Sequence, residues 1–245
     1  MLITIIAGLS TALGGLFPLF FKNFNRKILF FSLGMSAGVM VYISFVEMIP
    51  EAIQEVGFTL TNIAFFVGII FMMVLDFLIP HKYIAENNVS AEDQKNNKFD
   101  RAGKFTALGI AIHNFPEGMI VFMSAMIDIN LGIVLAIAVA IHNIPEGIAI
   151  AAPIYYATKS KIKAFMYCFL AGIAEPAGAL VLALFFINYF NPFILGLSLA
   201  FVAGVMIFIS FDELLPISFK ENHDHIATAG IFIGMLIMAI TLLFL

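Results

Sequence analysis

Apolar runs of about twenty residues, each long enough to cross the hydrocarbon core of a bilayer, recur along almost the whole chain with short polar connectors between them. Inside lipid no water satisfies the backbone, so a spanning segment is either a helix or part of a closed barrel. Uninterrupted apolar runs of this length belong to helices. Charged residues make up only 11% of the chain and mean hydropathy is +1.05, as a polytopic membrane protein requires. The 245 residues would fill two soluble domains, but connectors this short leave no room for one. A single membrane domain over 1–245 is expected.

Cutting at the polar connectors places helices near 2–21, 28–50, 58–80, 105–126, 131–154, 163–188, 193–213 and 226–245. The predicted fold is an all-α bundle of eight spans, bounded by turn and charge signals such as "KNFNRK", "IDIN", "TKSKIK" and "NYFNP". The opening "MLITIIAGLS" has no preceding Lys or Arg and no small-residue cleavage site, so it reads as a retained first helix. Cys168, the one cysteine, excludes an internal disulfide and reads as a small packing residue.

The charges fix a direction. Lys22, Arg26 and Lys27 lie in the first connector, Lys82, Lys95, Lys98, Arg101 and Lys104 in the third, Lys159, Lys161 and Lys163 in the fifth, and Lys220 in the seventh. Those are all twelve basic residues, so the positive-inside rule puts these connectors in the cytoplasm and both termini outside. The other connectors hold Glu51, Glu55 and Asp128 without a basic residue, which draws cations to the outer mouth. No basic, aromatic-interleaved surface is present, and nucleic acid is set aside as a partner. The connector near 81–104 has the composition of a flexible loop. His81 within it and "NHDH" at 222–225 read as solvated groups.

An internal repeat sharpens this picture. "GVMVYISFVEMIPEA" at 38–52 and "GVMIFISFDELLPIS" at 204–218 are identical at eight positions, among them Gly38/Gly204, Met40/Met206, Ser44/Ser210, Glu47/Glu213 and Pro50/Pro216. The two segments sit on spans that cross in opposite directions, so the repeat is inverted. Spans 1–3 and 6–8 are expected as inverted copies around a central pair, a 3+2+3 arrangement of the kind that marks secondary transporters. The small pair Gly34 and Gly38 serves either a homodimer interface or packing within the chain.

The central pair repeats too, as "AIHNFPEG" and "AIHNIPEG". On a helix His113, Asn114 and Glu117 share a face, as do His142, Asn143 and Glu146. Imidazole nitrogen with carboxylate and amide oxygens suits a first-row divalent ion. Pro116 and Pro145 each disturb the bond to the carbonyl four residues earlier, at Ile112 and Ile141, which kinks the helix. Glu175 in "AEPAGA" is a third carboxylate at membrane depth. An acidic residue at the bilayer centre costs about 3 kcal/mol, so Glu117, Glu146 and Glu175 together cost roughly 9 kcal/mol, comparable to the net stability of a domain. A bound cation or a wet path must offset that. Met40 is a further candidate ligand, and Glu47, Asp212 and Glu213 are placed at the two ends of one path. Asp76 reads as an interfacial residue.

Tandem "HNFPEG" and "HNIPEG", with "AEPAGA" and "DELLP" downstream, resemble the ZIP family of divalent metal transporters, in particular its bacterial members. The resemblance spans the chain. It implies uptake of Zn²⁺, and of Fe²⁺, Mn²⁺, Co²⁺ or Cd²⁺, across the bacterial cytoplasmic membrane through a binuclear site. The ligands it implies are His113, Asn114, Glu117, His142, Asn143, Glu146 and Glu175, with Met40 as a match to a methionine that contributes in some relatives. Imidazole disfavours Mg²⁺ and Ca²⁺, and a missing thiolate cluster disfavours Cu(I). No nucleotide-binding loop such as GxxxxGKS occurs, so energy comes from ion gradients or the membrane potential. The rival reading is a membrane di-metal carboxylate enzyme. Such sites usually carry Glu-x-x-His, whereas the order here is His-x-x-x-Glu.

Overall fold

The computed structural model describes residues 1–21, 24–78, 91–187, 191–219 and 224–243, with the backbone alone for 91–96 and 131. The described elements are α1 (Leu2–Gly14), α2 (Arg26–Ile43), α3 (Ile49–Leu78), α4 (Ala91–Ile127), α5 (Ile129–Thr158), α6 (Lys161–Val181), α7 (Pro192–Phe208), α8 (Leu215–Ser218) and α9 (Asp224–Leu243). A 3₁₀ turn follows α1 at Phe17–Phe20, and π turns occupy Ser44–Met48, Leu182–Phe186 and Ile209–Leu214. Among the described residues no strand occurs. Six helical stretches among the described residues are long and apolar enough to cross a membrane: Arg26–Leu78, Asn97–Ile127, Gly132–Thr158, Lys161–Phe186, Pro192–Ser218 and Asp224–Leu243.

Local chemistry explains the boundaries. The connectors supply the caps: Asn25 accepts from the Ile28 amide at 3.1 Å, Ser160 from Lys163 at 3.2 Å and Asn191 from Ile194 at 3.0 Å. The 53-residue stretch Arg26–Leu78 is interrupted at Gly57, whose φ of 77° and ψ of 162° lie where a side chain is strained. Three expectations need correction. The first span, expected over 2–21, is α-helical only to Gly14 and passes into the 3₁₀ turn around Pro18, which has no N–H to continue the ladder. The segment expected as a loop to residue 104 is helical from Ala91. Opposite charges and one aromatic anchor hold that helix: Lys104 and Lys163 both pair with Asp100, Arg101 pairs with Asp76, and buried Phe99 meets the Tyr156 ring at 5.1 Å. Asp76 is therefore engaged with α4 rather than simply facing the interface. His81 and His223 lie outside the described residues.

The bundle is large outside and small inside. Phe58, Ile63, Phe66, Ile70 and Phe77 of α3, and Phe232, Leu236 and Ile240 of α9, are exposed, a surface suited to lipid and not to water. Within, glycines let backbones touch. A methyl at Gly8 would overlap the carbonyl of Gly172, and one at Gly172 the carbonyl of Gly8. Gly118 faces the Glu175 carbonyl as Gly147 faces that of Thr11, and Gly178 faces the Phe115 carbonyl as Gly14 faces that of Ile144. These contacts tie α1, α4, α5 and α6 together. In the same manner Gly68 meets the Phe201 carbonyl and Gly204 that of Phe65, while Gly234 meets the Met35 carbonyl and Gly38 that of Ile231. Those contacts pair α3 with α7 and α2 with α9. Gly34 abuts the Ala227 carbonyl, so Gly34 and Gly38 are both used inside the chain.

Candidate metal centre

α4 and α5 run unbroken through Pro116 and Pro145, and α6 through Pro176. Their motif residues are sealed from solvent: His113, Asn114, Asn143, Glu146 and Glu175 are 0% exposed, His142 3% and Glu117 6%. Each histidine is paired across the helix boundary and not with the glutamate of its own motif. His113 Nε2 lies 3.0 Å from Glu146 Oε2, and His142 Nε2 lies 3.4 Å from Glu117 Oε1. The first is a hydrogen bond; the second is an ion-pair contact without hydrogen-bond alignment. Glu175 enters from α6, where Asn143 donates to it, and it lies close enough to Glu117, His142 and Glu146 to feel their charges.

The asparagines are aimed by the backbone. Asn114 Nδ2 donates to the Ala171 carbonyl at 3.2 Å and Asn143 Nδ2 to the Ala7 carbonyl at 3.1 Å. With each amide nitrogen tied outward to a neighbouring helix, each amide oxygen is turned away from it. Those oxygens have no hydrogen-bond partner among the described residues, and neither do Glu117 Oε2, Glu146 Oε1, Glu175 Oε2 or the Nδ1 atoms of His113 and His142. Buried polar atoms are almost always satisfied, and this many orphaned acceptors on three touching helices make a set of groups that could hold a cation. Nitrogen and oxygen donors without thiolate match a borderline divalent metal.

The remaining candidates lie elsewhere along the bundle. Met40 is fully buried with its sulfur 3.6 Å from the Ser210 hydroxyl, and the Ser44 hydroxyl lies 3.9 Å from the Met206 sulfur. Both contacts belong to the α2–α7 seam. Glu47 sits half-buried in the π turn Ser44–Met48 and feels the charges of His142, Glu51 and Glu117. Asp212 and Glu213 occupy the equivalent π turn Ile209–Leu214, and the structure adds Asp76: one carboxylate oxygen from each of the three lies within 4.8 Å of the others. Two residues passed over in the sequence matter here. Arg101 pairs with Asp76, a partnership signalled by opposite charges at the same end of adjacent spans. Ser36 donates to the Pro145 carbonyl at 2.6 Å, and nothing in the local sequence around Ser36 signals that.

A family model for the ZIP zinc transporter matches residues 1–104 and 80–242. The chain belongs to the ZIP family. It is 45% identical to the zinc transporter ZupT of Chlorobium phaeovibrioides over 258 residues, covering 100% of this chain and 97% of the relative. It is also 45% identical to that of Streptococcus mutans over 252 residues, covering 99% and 96%. ZIP proteins are transporters and not enzymes, and the chain is one of them. A multi-pass membrane protein built on a polar, cation-matched core fits that role.

Proposed function

We propose that this chain carries Zn²⁺ from outside into the cytoplasm through His113, Asn114, Glu117, His142, Asn143, Glu146 and Glu175. The observation that carries the reading is the crossed pairing of His113 with Glu146 and of His142 with Glu117, which gathers two half-sites into one centre between α4 and α5. The names of the relatives make zinc the leading cargo. Fe²⁺, Mn²⁺, Co²⁺ and Cd²⁺ suit the same donors.

The bundle is read as eight spans in a 3+2+3 inverted arrangement in the bacterial cytoplasmic membrane, surrounded by lipid, with both termini outside. Support comes from the interruption at Gly57, which divides Arg26–Leu78, from the shorter apolar α1, and from glycine contacts that recur in matched pairs. The ion's route starts at Glu47, and a cavity of about 150 Å³ lined by Glu55, Ser124 and Asn191 is read as part of the outer mouth. The route passes Met40 and the cluster, and it ends at Asp76, Asp212 and Glu213. Backbone-to-backbone glycine contacts hold α1, α4, α5 and α6 together, and join α2 to α9 and α3 to α7; alternating access is read as movement of the first group against the two pairs.

Zinc influx into sealed proteoliposomes, read by a trapped dye, tests the function. Saturable influx by the wild type, lost in Glu117→Ala and in Glu146→Ala, is expected. Vesicles that bind zinc and admit none would overturn the proposal.

A further inference from the structure

The first helix carries a part of the site that its apolar sequence conceals. "AGLSTALG" at 7–14 aligns with "AGIAEPAG" at 171–178, identical at Ala7/Ala171, Gly8/Gly172 and Gly14/Gly178. Contacts repeat in the same register. Gly8 and Gly172 abut each other; Gly14 meets Ile144 as Gly178 meets Phe115, and those two residues hold the same place in the two central motifs. Asn143 donates to the Ala7 carbonyl as Asn114 donates to that of Ala171. In this register Thr11 stands where Glu175 stands, and their carbonyls take the matched positions against Gly147 and Gly118.

Thr11 is fully buried and its hydroxyl has no hydrogen-bond partner among the described residues. Among the buried hydroxyls of the described residues only Thr106 shares that condition. Ser10, Ser32, Ser44, Thr61, Ser210 and Thr241 all donate to a carbonyl three or four residues earlier, the normal outlet for a helical hydroxyl. The hydroxyl of Thr11 has forgone it, and Asn114 Oδ1 is likewise unsatisfied.

We propose that Thr11 is an oxygen ligand contributed by α1 to a divalent metal, standing toward Asn114 as Glu175 stands toward Asn143. The inference rests on the metal-transport reading above. Its consequence is a centre of unequal halves. The half built on Glu117, His142 and Asn143 has a second carboxylate, Glu175; the half built on Glu146, His113 and Asn114 has a neutral hydroxyl in the equivalent place. One half holds a cation firmly and the other loosely, the combination a conducting multi-ion site needs.

The test is equilibrium dialysis of the purified full chain against Zn²⁺, with bound metal counted by elemental analysis, for wild type, Thr11→Val, Thr11→Ser and Thr11→Asp. Wild type should show a tight and a weaker class. Thr11→Val, nearly isosteric, should weaken the weaker class about tenfold and leave the tight one in place, and Thr11→Ser should restore it. Thr11→Asp should tighten the weaker class, with a lower melting temperature in chelator and a larger rise on adding zinc than wild type shows. Unchanged zinc binding in Thr11→Val, or equal loss of both classes with a fall in melting temperature, would mean that Thr11 only packs α1 against α6. If wild type binds no zinc, the transport reading itself fails before Thr11 is at issue.

Discussion

At the scale of single residues, the centre works by denying each polar atom a purely local partner. The two motifs each put histidine and glutamate on one helical face, and that much was legible from spacing. Which histidine meets which glutamate was not, because the pairing depends on how α4 and α5 face each other: His113 reaches Glu146 and His142 reaches Glu117. Replacing one member leaves the other buried and uncompensated, which costs several kcal/mol in a dry interior. Glu146→Gln is therefore expected to lower zinc influx at least tenfold and to weaken zinc binding in parallel, both measurable in the same vesicles. Ser36 offers a contrasting case. Its hydroxyl bridges α2 to the Pro145 carbonyl without belonging to the metal donor set, so Ser36→Ala removes about 1 kcal/mol of inter-helix hydrogen bonding. The maximal influx rate should change while the half-saturating zinc concentration stays within about twofold. A shift confined to zinc affinity would place Ser36 in the binding centre instead.

At the scale of helices, close backbone contact replaces the hydrophobic effect, which supplies no force between apolar surfaces in lipid. Gly8 and Gly172 show how local the requirement is, since each sits against the other's carbonyl. Gly8→Ala or Gly172→Ala alone should destabilise the bundle by about 1–3 kcal/mol through overpacking. Once one methyl has forced α1 and α6 apart the second meets less resistance, so the double variant should cost less than the sum, by about 1 kcal/mol. Thermal unfolding in detergent of the four-member cycle measures this; strict additivity would mean that the two glycines are not in contact. Element boundaries were only partly readable. Asn25, Ser160 and Asn191 fell within recognised turn signals and do cap helices. The helix beginning at Ala91 was hidden because its stabilising partners, Asp76, Tyr156 and Lys163, come from other parts of the chain. The early end of α1 was hidden because a run of apolar residues reads the same in an α-helix and in a 3₁₀ turn.

At the scale of the whole molecule, α3 and α9 carry an apolar exterior, and the clustering of Lys and Arg in or beside alternate connectors of the sequence predicts two chemically different ends. Sidedness has a direct measurement. Cys168 is buried, its thiol donating to the Gly147 carbonyl at 3.3 Å, so Cys168→Ala provides a background free of cysteine. On it, Asp128→Cys should react with an impermeant maleimide in intact cells, and Lys161→Cys only after the membrane is opened; the reverse pattern would invert the topology. Matched contacts between α1 and α6 have one more consequence, for how this gene tolerates change in length. Six positions separate Gly8 from Gly14, about 240° of net rotation, so α1 is gripped from two sides, by α6 at one glycine and by α5 at the other. A single inserted or deleted residue between them would swing one grip by about 100°. Short and gripped on two sides, α1 thus has little capacity to absorb an insertion or a deletion.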